Sequence, residues 1–315
     1  MHVSEIVPRV EEFAAEKSRG AMLPWWSKIA AKIVLSRVVP SYAWRRKLGL
    51  FRHSYADSTR RGKPQHFARF LARHQTLGCG DCRTVVELGP GDTVANALHA
   101  AAHGVQQMWL VDSGDFASGD MAPYVRVVAD LDAKYPGFGA KVDLSGCAAM
   151  LESIGAEYLT DGVESLARIP AGSVDLVFSV AVMEHVRLAE FDTLIAETFR
   201  ILRPGGSAHH SIDLTDHLGG KLNSLRFATS LWEHPIFSDA GFYTNRLRSS
   251  EIMRRFRTSG FDVAAPQLTR WKTLPTPRHK LAAPFRALPE DELLVATFHL
   301  CAHKPGDARR HDGAP

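Results

Sequence analysis

The sequence predicts an α/β domain with a doubly wound, mostly parallel seven-stranded sheet whose last strand is antiparallel, preceded by N-terminal helices. Three observations predict it. From residue 83 onward, short β-branched runs alternate with helical stretches, the pattern of a parallel sheet with crossover helices. One run, Val174 to Val180, reads as a strand buried on both faces. The last two runs lack a long helix between them, which suits an antiparallel hairpin at a sheet edge.

Residues 1–80 read as a helical cap. Ile29, Ile33 and Val34 mark an apolar face, with Lys28, Lys32 and Ser36 recurring opposite it and Pro40 ending the helix. Tyr42 to Phe51 is a second short helix, and His66 to His74 a third with Phe67, Phe70 and Leu71 inward. Leu77-Gly-Cys-Gly-Asp-Cys82 breaks the chain before the main domain, 81–303. Its strands are expected at Arg83 to Leu88, Gln107 to Val111, Ala156 to Leu159, Val174 to Val180, Ser207 to Ile212, Gly260 to Ala264 and Leu293 to Ala302. Helices are expected at Thr93 to His103 and Leu188 to Leu202, the latter stopped by Arg203-Pro204-Gly205-Gly206. Residues 213–259 form an insertion rich in aromatics and arginine; Thr273 to Pro289 is a Pro-rich loop, and 304–315 a disordered tail.

The 315 residues are 45% hydrophobic, 23% charged and 9% aromatic, ordinary globular values that exclude wholesale disorder. A net charge of +4 is too small to argue for nucleic acid, and no base-reading motif accompanies the basic residues. Those residues are unevenly spread: no Asp or Glu occurs between Lys17 and Ala56. With Trp25 and Trp26, segment 20–52 is expected either to cover the active cleft as a lid or to lie on an anionic membrane surface. Four cysteines are too few for a disulfide scaffold, and Cys79-Gly-Asp-Cys82 has no second pair to complete a zinc site. The N-terminus shows no signal peptide and the chain no run long enough for a transmembrane helix, so a cytoplasmic location is expected.

The strongest local signal is Val85-Val86-Glu87-Leu88-Gly89-Pro90-Gly91-Asp92-Thr93. Glycines after a strand let the backbone turn tightly and approach a ligand at the next helix N-terminus. A dinucleotide fingerprint would need glycine at position 94, which is Val94, and Glu87 would repel a pyrophosphate. Glu87 suits a cationic amino-acid end instead. The segment Glu87-Leu-Gly-Pro-Gly-Asp-Thr93 resembles the first motif of class I, Rossmann-like S-adenosylmethionine-dependent methyltransferases, of the type 11-like bacterial saccharide and natural-product kind, with Thr93 where the third glycine is usual. Further matches follow in order: Asp112, Asp161-Gly162-Val163, the run Ser173 to Val186, and Leu202-Arg-Pro-Gly-Gly206. The resemblance implies S-adenosylmethionine as cofactor and S-adenosylhomocysteine as product. It implies cofactor contacts at Glu87, Gly89, Pro90, Gly91, Asp112, Ser113, Asp161, Gly162, Ser179 and Val180, with Asp112 on the ribose hydroxyls and Asp161-Gly162 framing the adenine.

Methyl transfer is an in-line displacement in which the protein mainly positions the partners, while a hydroxyl acceptor also needs its proton removed. Glu184 and His185 follow the fourth strand, and in resembling families the His lies near the methyl. His209 and His210 point to opposite faces of the fifth strand, so one of them can face the acceptor. Asp213, Asp216 and His217 sit in the loop at that strand's carboxyl end, where open α/β sheets bind ligands. They pair as orienter and base, hold a hard divalent ion, or fix the loop by Asx-type bonds. The catalytic candidates are His185, His210, Asp213 and His217; no metal ligand is assigned. Glu184, Tyr243, Asn245, Arg246 and Arg248 are the candidate acceptor contacts, and Ser249 the expected N-cap of the following helix. The expected function is O-methylation of a sugar, glycoside or natural-product metabolite. The alternatives are N- or C-methylation, with Trp232, Phe237, Phe242 and Tyr243 cradling an amine, and a non-catalytic cofactor-binding or membrane-associated partner. Oligomeric state is unassigned.

Overall fold

In the computed structural model the described residues are 10–12, 24–38 and 66–306, so the expected helix at Tyr42 to Phe51 and most of the basic segment lie outside them. The elements are β1 (Val10–Glu12), α1 (Trp25–Val38), α2 (His66–Thr76), β2 (Thr84–Leu88), α3 (Ala95–Ala102), β3 (Gln107–Val111), α4 (Ala122–Lys134), α5 (Cys147–Ser153), β4 (Ala156–Leu159), β5 (Val174–Val180), α6 (Leu188–Ile201) and β6 (Leu202–Asp213). Then come α7 (Thr229–Trp232), α8 (Pro235–Ser238), α9 (Ser249–Thr258), β7 (Asp262–Val263), β8 (Gln267–Arg270), α10 (Ala283–Arg286), α11 (Glu290–Leu293) and β9 (Val295–His303).

The strands form one sheet in the order β1-β8-β9-β6-β5-β2-β3-β4, with β7 also on β9. All pairings are parallel except those of β9, which runs antiparallel to β6, β7 and β8. The sheet is thus the expected doubly wound, mostly parallel one, with nine strands rather than seven. The expected sixth strand, Gly260 to Ala264, is the short β7; β8, which was not expected, follows along the same edge of β9 after Pro266, whose missing N–H interrupts the ladder. The extra strand β1 pairs beyond β8.

Helices α2 to α5 cover one face of the sheet. Phe67, Phe70, Leu98, Tyr124, Leu131 and Met150 pack there against Val85, Leu110 and Phe178. Helices α6 and α9 cover the other, where Phe191, Ile195, Ile252 and Phe256 meet Val86, Val177 and Ala208. A third cluster joins α1 to the insertion: Ile29, with Trp25 and Ile33 beside it, packs against Trp232, Phe242 and Tyr243. Trp26 on α1 faces solvent. Among the described residues no helix is long and apolar enough to cross a membrane.

Several ends are held by distant side chains. Helix α6 stops before Pro204, and the Lys304 ammonium donates to the carbonyls of Phe199 and Leu202 at 2.8 Å each. Lys304 therefore belongs to the domain rather than to a disordered tail. Ser249 is the first residue of α9 rather than its cap. Glu292 caps that helix from outside, accepting from the Ser249 hydroxyl and the Ser250 N–H. Asp175, at the foot of β5, accepts from the N–H groups of Arg83 and Thr84 at 2.8 Å each and from Arg203 Nε at 2.5 Å. It pins the start of β2 and the turn before β6 to one strand. Asp175→Ala, which leaves two backbone donors without an acceptor, is expected to cost about 2–4 kcal/mol. A urea-unfolding midpoint equal to that of the wild-type protein would refute that role.

Candidate functional site

The sheet order reverses at β2: the chain runs outward through β3 and β4, then returns to β5 on the other side of β2. The carboxyl ends of β2 and β5 therefore border the crevice where open α/β sheets take ligands. A cavity of about 230 Å³ opens there, lined by Gly89, Asp112, Ser113, Gly162 and His185. Leu88, Val111, Val163, Val182, Val186 and Leu194 supply its apolar walls, with Arg187 and Glu190 at its edge.

Gly89 has φ +64°, and a Cβ there would run into the Val182 side chain, so both conformation and space demand glycine. Gly91, at φ +69°, donates its N–H to Asp112 Oδ2 at 2.9 Å. The other oxygen of Asp112 accepts from Ser113 N at 2.8 Å, and its carbonyl from Gly162 N at 2.8 Å. Asp112 thus joins three of the expected cofactor segments, its carboxyl raised by burial against the pull of the Gly91 and Ser113 N–H groups. Pro90 is buried beneath the loop, whereas Asp161 is exposed beside Gly162 and does not line the cavity.

Glu87 lies under the Gly89 turn, facing α3. Its Oε1 accepts from Asn96 Nδ2 at 2.6 Å, while its Oε2 is buried with no hydrogen-bond partner. Burial pushes this carboxyl up to about 8, so at neutral pH it holds a proton. An orphaned, desolvated acid beneath a glycine turn fits a cationic ligand end, whose charge would favour its ionised form.

Two expected cofactor contacts lie elsewhere. Ser179 is fully buried and bonded to His210 Nδ1 at 2.8 Å, and Val180 lines a different cavity. His210 is likewise fully buried, its ring 5.5 Å from that of Phe256, and burial drops it to about 3. It opens onto neither cavity, so its expected catalytic role gives way to packing under α9. His209, on the opposite face, packs between the sheet and α2 beside Phe70 and His299.

His185 and His217 do come together. Their rings stack with centroids 4.8 Å apart, and their Nε2 atoms are 3.0 Å apart. His185 Nδ1 lies 2.9 Å from the Tyr243 carbonyl, which only accepts. His185 is therefore the Nδ1–H tautomer, and its basic Nε2 receives the N–H of His217.

The expected acceptor contacts turn inward. Glu184 is buried, its carboxyl raised far above the ordinary range by desolvation. Asn245 donates its amide to the carbonyls of Met183 and Val186, at 2.7 and 3.0 Å, and so stitches the loop after β5. Tyr243 donates its hydroxyl to Glu233 at 2.8 Å. Arg246 donates to the Phe227 carbonyl at 2.8 Å, its guanidinium 5.2 Å from the Trp232 ring and 5.0 Å from Phe285. Arg248 is buried among the carbonyls of Leu214, Glu292, Leu293 and Val295. Desolvation lowers both arginines to about 10. These cations are internal braces, not a surface for an anion. Of the aromatic cluster expected to cradle an amine, Trp232 already has the Arg246 guanidinium over its ring.

Asp216 is used up locally as well, accepting from the N–H groups of Leu218, Lys221 and Asn223. Asp213 Oδ1 accepts from Thr215 N at 2.8 Å. The loop is thus fixed by Asx-type bonds. Among the described residues no three His, Cys, Asp or Glu side chains are grouped to hold a metal. Asp213 remains available from one side, since it lines a second cavity of about 600 Å³. That cavity lies on the α2 face, between β5, β6, β8 and β9, with His66, Arg69, Arg73, Ser211 and His299 in its wall. Sequence reasoning missed this wall. The available signal was the i, i+3, i+7 spacing of His66, Arg69 and Arg73, one basic stripe beside the Phe67 and Phe70 face. Ala181, at φ +53°, turns the chain between the two cavities and donates its N–H to Ser211 O.

Residues 126–209 match the family described as "Methyltransferase domain". The match runs from α4 into β6 and leaves out the Gly89 turn and Asp112. No curated protein matches. Among solved structures, phosphoethanolamine N-methyltransferase 2 of Haemonchus contortus is similar at 17% identity, covering 86% of this chain and 59% of its own, with a TM-score of 0.45. The 1,6-didemethyltoxoflavin-N1-methyltransferase of Burkholderia thailandensis is similar at 14% identity over 94% of this chain and 100% of its own, with a TM-score of 0.43. An S-adenosylmethionine-dependent methyltransferase of Mesorhizobium loti is similar at 17% identity over 74% and 96%, with a TM-score of 0.41. At these identities and TM-scores neither activity nor acceptor passes from those proteins to this chain.

Two outcomes follow from the geometry. The folded state keeps the Glu87 proton to about pH 8 while the unfolded chain loses it near 4.5. The folded form therefore binds more protons across that window, and stability falls as pH rises through it. Melting temperatures of ligand-free protein from pH 5 to 8 should fall less in Glu87→Gln than in wild type; equal slopes would exclude Glu87 as a source. Arg248→Met strips four carbonyls of their donor and is expected to cost about 3–5 kcal/mol, read as a lower unfolding midpoint. A variant of unchanged stability would return Arg248 to the list of acceptor contacts.

Proposed function

We propose that this protein transfers a methyl group from S-adenosylmethionine to a hydroxyl of a small molecule, a sugar, glycoside or related metabolite. The observation that carries the cofactor assignment is the meeting of the Gly89 turn and the Asp112 carboxylate at the β2 and β5 crevice, with the unpartnered Oε2 of Glu87 beneath that turn. Gly89 lets backbone approach the ligand, Asp112 offers acceptors to a ribose diol, and the apolar wall from Val163 to Leu194 suits a nucleobase. Glu87, ionising as a cation arrives, holds the amino-acid end. S-adenosylmethionine supplies an electrophilic methyl group on its sulfonium.

For the acceptor, Asp213 is the group favoured as base. It lines the larger cavity, and burial raises its carboxyl above the ordinary range, which brings its basicity nearer to that needed at neutral pH. The backbone and side-chain hydrogen bonds from Thr215, and after them the charge of His185, oppose that rise, and His185 with His217 orders the rim between the cavities. A cationic amine acceptor finds no open aromatic cage, because Arg246 fills the one that Trp232 helps to form.

Calorimetric titration tests the cofactor assignment: S-adenosylmethionine and S-adenosylhomocysteine bind, NAD does not, and Asp112→Ala loses both. Preference for NAD sinks the assignment. With a turning-over acceptor, Asp213→Asn is expected to lower kcat by about 10²- to 10⁴-fold and leave S-adenosylhomocysteine affinity intact. Activity in the wild type should rise with pH as Asp213 loses its proton, and that limb should vanish in the variant. A surviving limb would assign the base elsewhere.

A further inference from the structure

We infer that the acceptor carries an acid group, phosphate monoester or carboxylate, held by Arg69 and Arg73 in the cavity of about 600 Å³. The inference rests on the methyl-transfer reading for the word acceptor, but the anion site stands on its own geometry.

Arg69 and Arg73 lie one turn apart on α2 and both line the cavity. Like charges at this spacing repel, and burial of Arg73 sharpens the repulsion. Arg73 spends one nitrogen on a neutral partner, Gln267 Oε1 at 2.6 Å, while its Nη1 is buried with no hydrogen-bond partner. It has no carboxylate partner among the described residues. Arg69 reaches Ser211 Oγ at 3.1 Å and stacks 4.9 Å from the Phe70 ring, which fixes its plane. Across the cavity His299 has a buried Nε2 without a partner, and burial keeps the ring neutral, so that it offers a hydrogen bond rather than a charge. Two oriented guanidinium groups match the oxygens of a phosphate or carboxylate in a way that no neutral hydroxyl does.

Among the described residues that line this cavity one is an acid, Asp213. Ser211 and Asp213 are two residues apart on β6, so they share a face and their positions are separated by roughly 7 Å along the strand. An anionic group is repelled from the Asp213 end and drawn to the α2 end. The cavity is therefore polarised, and an acceptor with its acid group on Arg69 and Arg73 presents a hydroxyl to Asp213.

The test uses phenyl phosphate, benzoate and phenol as probes, titrated calorimetrically into the full-length protein with and without saturating S-adenosylhomocysteine. At least one acid should bind about tenfold or more tightly than phenol, and the two acids together tell phosphate from carboxylate. Arg73→Ala should erase that preference, and Arg73→Lys should restore part of it. S-adenosylhomocysteine affinity, read on the same samples, reports whether each variant is folded; if Arg73→Ala is not, Arg69→Gln carries the comparison. Phenol binding as tightly as both acids, or an acid preference that survives in the folded variant, overturns the inference. Failure of S-adenosylhomocysteine to bind the wild-type protein while the acid preference stands would instead sink the methyl-transfer reading alone.

Discussion

The strand on which both cavities depend is β5. It is the only strand paired in parallel with both β2 and β6, so it joins the half of the sheet that bears the glycine turn to the half that bears Asp213. Its foot is held by Asp175, which satisfies two backbone donors and one guanidinium at once. Its head ends in Ala181, a residue with a side chain in left-handed backbone space. Such a conformation persists only where surroundings impose it. Here the Ala181 N–H is taken by Ser211 O, and Val182 packs against Gly89. The turn sends Val180 and Ala181 into the wall of one cavity and Val182 into that of the other. A cofactor in the smaller space and an acceptor in the larger would meet across this turn.

The distribution of charge follows from what each group can reach. Arg246 and Arg248 are surrounded by carbonyls, and Arg246 is flanked by aromatic rings as well, so the chain consumes them as internal donors. Removing a guanidinium from water is costly unless its donors are met, and four carbonyls take the Nη1 and Nη2 donors of Arg248, although its Nε, like that of Arg246, is buried without a partner. Arg73 has no such surroundings. It keeps a buried donor unmet at the edge of a space large enough for a ligand. The contrast separates arginines that build the site from those able to act in it.

The sheet was legible because its signals are local. β3, β4 and β5 fall where the short apolar runs lie, since each strand's pattern is written into four to seven consecutive residues. The glycine turn was legible for the same reason: Gly89 and Gly91 each answer a backbone demand made at their own position. What was not legible depends on partners far away in the chain. Arg246 and Arg248 read as an anion clamp because nothing local reveals that carbonyls from residues 214 and 292–295 surround the second of them. Ser249 has the chemistry of an N-cap, but Glu292, 43 positions on, took that work. His210 sits on the expected strand, yet which of two alternating histidines faces a cavity depends on how β9 and the helices close over the sheet, and both were enclosed.

The chemistry that remains is a matter of proton placement. Four carboxyl groups near the strand ends, Glu87, Asp112, Glu184 and Asp213, are all raised, first by burial. They differ in what else they touch. Asp112 is stabilised as an anion by two backbone N–H groups, which suits a constant acceptor. Glu184 accepts from its own N–H and, at 3.3 Å, from Asp213 N, and the Asp213 charge further discourages its ionisation. Desolvation and that neighbouring charge both favour its neutral form. Asp213 in turn is braced by Thr215 and open to the larger cavity. The neutral partner protects the basicity of the exposed one, because any positive group that replaced Glu184 would pull Asp213 back toward the ordinary carboxylate range and weaken it as a base.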